Sequence, residues 1–103
     1  MIRNTNSKRN GSNFDSATIN AVWNKARIIP GYNSETLRKD SCGAWIRKDQ
    51  YGQLTDNGWE IDHIQPVSKN GSDDLINLQP LQWGNNRHKG DNYPNWSCAV
   101  SAK

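Results

Sequence analysis

Apolar residues are sparse along this chain, and they gather in four short runs whose spacing predicts different elements. In "DSATINAVWNKARII", residues 15–29, Ile19, Val22, Trp23 and Ala26 fall on one helical face. Asp15 or Ser16 can cap that helix, and Pro30 with Gly31 ends the pattern. "SETLRKDS" predicts a further short turn of helix. In "CGAWIRKDQYG", Ala44 and Ile46 alternate with polar neighbours, which predicts a strand. "WEIDHIQPV" alternates more clearly and reads as a half-buried strand, with Trp59, Ile61 and His63 on one face. Glu60, Asp62 and Ile64 take the other face. "LINLQPL" is a second strand, and Pro80 puts it at a sheet edge because proline has no N–H to give. Between the two strands, "SKNGSDD" has the composition of a loop, and Asp73 and Asp74 are assigned to it. "QWGNNRHKGD" predicts a short helix closed by Gly90, and the last residues, "NYPNWSCAVSAK", show no regular pattern.

Residues 1–13 hold mostly Asn, Ser, Arg and Lys, so they are expected to form a flexible basic arm ahead of one domain spanning 14–103. Only 33% of the 103 residues are hydrophobic, which limits the core; five tryptophans and three tyrosines partly compensate. A net charge of +3 permits a polyanionic partner without demanding one. Cys42 and Cys98 form no CxxC pair, so a disulfide framework is not indicated; a single bridge between them stays open, and both read most simply as small buried hydrophobes. No apolar run approaches the ~20 residues of a membrane span. The start lacks the apolar centre of a secretory signal, and a soluble, cytoplasmic protein is the expectation.

Residues 62–89 contain the parts that phosphodiester hydrolysis needs. A neutral histidine can deprotonate water, Asp and Asn oxygens suit Mg²⁺ or Mn²⁺, and Arg and Lys suit phosphate. Their order is specific. "DHI" (62–64), "NLQPL" (77–81) and "NNRHKGD" (85–91) resemble the motif of the HNH endonuclease family, also called ββα-metal nucleases.

The resemblance implies an α+β fold with a ββα-metal core over about residues 58–91 and an N-terminal helix packed on it. It implies Asp62 and Asn86 as metal ligands, His63 as general base, and Asn77 as a brace that orients His63. Arg87 and Lys89 would meet phosphate oxygens, and His88 is a less secure alternative to Asn86. The implied cofactor is one divalent cation, Mg²⁺ or Mn²⁺, and the implied partner is DNA, with a protein partner or dimer supplying specificity. Many members carry cysteine pairs for a structural zinc. Here Gln82 and Asn85 stand at those positions, so no such zinc is expected and Trp45, Trp59 and Trp83 are expected to supply the packing. Two rivals remain: a non-cleaving nucleic-acid-binding module of the same fold, and a zinc module built from Cys42, His63, His88 and Cys98.

Overall fold

Asp15 sets where the first helix begins. Its backbone is extended, and its carboxylate accepts from the Thr18 amide, so α1 runs Ser16–Trp23. The computed structural model describes residues 5–102, and α1 is shorter there than the predicted 15–29. It stops because the Lys25 and Ala26 amides turn back to the carbonyls of Val22 and Trp23, three residues away. The chain then extends, and Arg27 exchanges both backbone hydrogen bonds with Lys39. Lys25 folds over the start of a later strand, donating its ammonium to the Leu75 and Leu78 carbonyls.

The helical turn expected in "SETLRKDS" is instead a strand. β1 (Leu37–Lys39) pairs antiparallel with β2 (Trp45–Arg47), with Arg38 opposite Ile46. Three residues are too few to show a period, and it is pairing with β2 and Arg27 that makes them extended. Arg38 is buried rather than solvated. Its guanidinium donates to the carbonyls of Ser34, Asn24 and Ala26 and lies 5.6 Å from the Trp23 ring centre.

β3 (Trp59–His63) and β4 (Leu78–Gln82) form a second two-stranded sheet, and α2 (Trp83–Lys89) follows β4 directly. Pro80 sits opposite Ile61, and a two-stranded sheet leaves it an outer edge for its missing N–H. The predicted alternation in β3 does not hold, because all five residues are buried. Both helices pack against the β3–β4 sheet, so neither face is left to water. Trp23 and Trp59 pack at 5.5 Å, their rings tilted by 46°, in a core joined by Phe14, Val22, Ala26, Ile46, Ile61 and Leu78.

Cys42 and Cys98 are not two buried hydrophobes. They are bonded to each other, Cys42 half-buried and Cys98 exposed. Disulfides of this kind persist in oxidising surroundings and are rare in reducing ones. Beside it lies a polar knot around Asp40, which is 1% exposed. Its carboxylate accepts from the amides of Cys42, Ala44 and Gln82 and from Asn85 Nδ2. Asn85 also holds Ala99 and Val100. Gln82 and Asn85 therefore join the region by hydrogen bonds. Of the tryptophans expected to do that work only Trp59 is fully buried; Trp45 and Trp83 are half-buried. Among the described residues, no helix is long and apolar enough to cross a membrane.

Candidate active site

β3 delivers Asp62 and His63 to the end of the sheet, and α2 brings Asn86 and Arg87 alongside. These four residues line one cavity of about 310 Å³ together with Thr5 and Asn6. Asp62 is 5% exposed. Its Oδ2 accepts from Gln79 Nε2 at 2.9 Å and its Oδ1 from Lys89 Nζ at 3.2 Å. Burial pushes its carboxyl above the ordinary carboxylate range, against the opposing pull of Gln79 and Lys89.

His63 is 4% exposed, and its Nε2 lies 2.8 Å from Asp73 Oδ1. A carboxylate partner fixes the proton on Nε2, which leaves the lone pair of the neutral ring on Nδ1. Burial alone would raise Asp73. The His63 hydrogen bond, the Arg9 amide and the nearby charges of His63 and Lys8 outweigh it and hold the carboxyl below its usual range.

The loop that carries Asp73 is tied down by Asn77. Its Oδ1 accepts from the Gln65 amide, while its Nδ2 donates to the Gln65 and Ser72 carbonyls. Asn70 turns the chain in the left-handed region, which asparagine tolerates. At Gly71 an added Cβ would lie 1.7 Å from the Gln65 carbonyl oxygen, so only glycine fits.

Asn86 gives its Nδ2 to Glu60 Oε1 at 2.9 Å, leaving Oδ1 as its remaining ligand atom. Glu60, 3% exposed, also receives the Arg87 guanidinium at 3.1 Å, which raises the Arg87 pKa. Arg87 is half-exposed at 47% and reaches the cavity, as a phosphate contact must. Lys89 does not fit the phosphate contact expected of it. It is completely buried, donating to Asp62 and to the His63 carbonyl, so it has no surface to offer a ligand. His88 points elsewhere, exposed and 3.3 Å from Ser97 Oγ. Sequence reasoning missed the parts played by Asp73 and Glu60. Both are acids within the motif region, but one sits in a loop of turn-forming residues and the other in a strand.

No group of three or more His, Cys, Asp or Glu side chains among the described residues is placed to hold a metal. With Cys42 and Cys98 bonded to each other, the four-residue zinc module is excluded. The cavity offers hard oxygen donors instead: the Asp62 carboxylate and Asn86 Oδ1, with Asp91 also in its lining. That set fits a cation such as Mg²⁺, which keeps most of its shell for water and phosphate.

Residues 43–95 match the model of a family described as HNH endonuclease. Comparisons with curated proteins and with solved structures gave no match.

Proposed function

The chain belongs to the HNH endonuclease family, and from that membership we propose that it is a divalent-cation-dependent nuclease hydrolysing DNA phosphodiester bonds. One observation carries this reading: Asp62, His63 and Asn86, from two elements, line one cavity, and a carboxylate holds the far nitrogen of His63.

Asp62 and Asn86 Oδ1 would hold the cation, which supplies neutralising charge for the phosphate and the departing oxygen. His63 Nδ1 takes the proton as the water oxygen bonds to phosphorus. Asp73 steadies the imidazolium that results, as carboxylates do for catalytic histidines elsewhere. The bond from phosphorus to the 3′ oxygen breaks, and that oxygen collects a proton, leaving 5′-phosphate and 3′-hydroxyl ends. Arg87 keeps donors free of Glu60 for a phosphate oxygen. Asn77 keeps the Asp73 loop at its distance from β3.

Plasmid cleavage with Mg²⁺, Mn²⁺, Zn²⁺ or chelator tests the reading, together with His63→Ala. Loss of the base is expected to slow cutting by roughly 10²–10⁴-fold while DNA retention in a gel stays unchanged. Cleavage that survives chelation, or a His63→Ala protein that cuts at the parental rate, would refute it.

A further inference from the structure

The match to the family begins at residue 43, yet one wall of the cavity is made by Thr5 and Asn6. Residues 5–14 form neither helix nor strand. They are nonetheless tied to the site at three places. Asn6 adopts a left-handed backbone, φ 59°, which suits few residues with a Cβ. In that conformation its Oδ1 accepts from the Ile61 amide at 2.7 Å and from the Tyr51 hydroxyl at 3.0 Å. Ile61 lies on the outer edge of β3, immediately before Asp62, so Asn6 occupies the edge a third strand would take.

The second tie is at Asp73. The Arg9 amide donates to both carboxylate oxygens, at 3.0 and 3.3 Å, and the Arg9 guanidinium reaches the Gly71 carbonyl at 3.2 Å. The third is Phe14, 6% exposed, whose ring centre lies 6.0 Å from that of His63.

We propose that residues 5–14 are a positioning segment of the nuclease site, fixing β3 through Asn6 and the Asp73 carboxylate through the Arg9 amide. The inference rests on the nuclease reading above. A base oriented by a carboxylate works only if the carboxylate itself is held. Asp73 stands in a loop whose neighbour Asp74 is exposed, and its carboxylate is shared between His63 and Arg9. Releasing the amide lets Asp73 and the His63 ring drift, and small displacements of catalytic groups are costly in rate. The bonds to β3 and to the Asp73 carboxylate come from the Asn6 side-chain amide and the Arg9 backbone amide, and the Arg9 guanidinium adds one to the loop at Gly71.

Four variants of the full chain test it: Arg9→Pro, Arg9→Ala, Asn6→Ala and Asn6→Asp. Each is assayed for kcat and KM on plasmid DNA with Mg²⁺ and for its melting curve. Arg9→Pro has no N–H to donate and is expected to lower kcat at least about tenfold with KM within about twofold of the parent. Arg9→Ala keeps the amide and loses much less. Asn6→Ala lowers kcat in the same manner, and Asn6→Asp, which keeps the acceptor oxygen, recovers most of it. A folded Arg9→Pro with parental kcat overturns the inference, as does a loss confined to KM. Should Arg9→Pro show no cooperative melt, the Asn6 pair decides: recovery by aspartate supports the role, and parental kcat in Asn6→Ala ends it. A parent that cuts nothing sinks the nuclease reading itself, whereas a cutting parent with unaffected variants sinks only the positioning role.

Discussion

As a proposed ligand, Asn86 has a single side-chain oxygen to offer a cation, and Glu60 decides where that oxygen points. By accepting the Asn86 Nδ2 at 2.9 Å, Glu60 fixes which end of the amide is spent on the protein. Partners that orient metal ligands are typically worth about 10–100-fold in metal affinity or activity. Glu60→Ala is therefore expected to raise the Mg²⁺ needed for half-maximal cutting by about that factor, with DNA affinity far less affected. An unchanged Mg²⁺ titration would remove Glu60 from the role. Asp62 leads to a second expectation through pH. Burial raises its carboxyl pKa above the unfolded value, so its contribution favours the fold below the ordinary carboxylate range. That contribution is lost as pH climbs through the raised folded value, and at neutral pH the buried charge weakens the fold. A cation bound only by the native chain offsets this, by about 2.7 kcal/mol at a hundred times its Kd. The gap between melting curves with Mn²⁺ and with chelator is expected to narrow as pH falls from 7.5 toward the ordinary carboxylate range. A gap that stays constant over that range would argue against Asp62 as a ligand. The proposed ligands and the proposed base stand in "DHI" and "NNRHKGD" as residue types at a spacing. The part played by Lys89 was not legible, because a lysine is almost never wholly buried and nothing in the sequence marks this one as the partner of Asp62. Asp73 was hidden for the opposite reason: an aspartate beside Gly71 and Ser72 already has an ordinary explanation as a turn former.

At the scale of elements, the disulfide and the Asp40 knot hold the irregular C-terminal stretch to the segment between β1 and β2 and to the start of α2. The bridge spans 56 residues. Closing a loop of that length limits the unfolded chain by about 4 kcal/mol on the chain-entropy account. Reduction, or Cys98→Ser, is thus expected to lower unfolding free energy by about 4 kcal/mol, read from denaturant curves with and without reductant. Coincident curves would show that the bridge leaves the fold's stability unchanged. Neither device was legible beforehand. Two lone cysteines can pair in one way but do not say whether they do, and Asp40 looks like any acid in a polar turn until its four donors converge. β1 was missed for a related reason, since a three-residue strand is defined by what it pairs with. β3, β4 and α2 were legible because each keeps its pattern long enough to be read, with Pro80 and Gly90 marking an edge and an end. The alternation in β3 misled only about exposure: Glu60 and Asp62 face inward to polar partners, and burial of charge is satisfied there by Asn86, Arg87, Gln79 and Lys89.

For the molecule as a whole, the family-matched stretch and the folding unit are different things. Phe14, Val22, Trp23 and Ala26 make up half of the buried core cluster, and all four precede residue 43. Without them Trp59 loses its ring partner Trp23, and the cluster that holds Ile61 and Leu78 loses half its members. Residue 98, which closes the disulfide, lies beyond the match at the other end. Small chains bury too little surface to survive such losses, and a fragment of about half this one has little core to spare. The expectation is that residues 43–95 alone are unfolded, although they contain every residue proposed here as ligand or base. Circular dichroism and amide exchange on that fragment provide the check. A cooperative melt and protected β3 and β4 amides would mean that α1 is an accessory to the sheet. An unfolded fragment whose fold is restored by adding residues 5–42 and 96–102 would place the site's rigidity in the contacts made across the ends of the match.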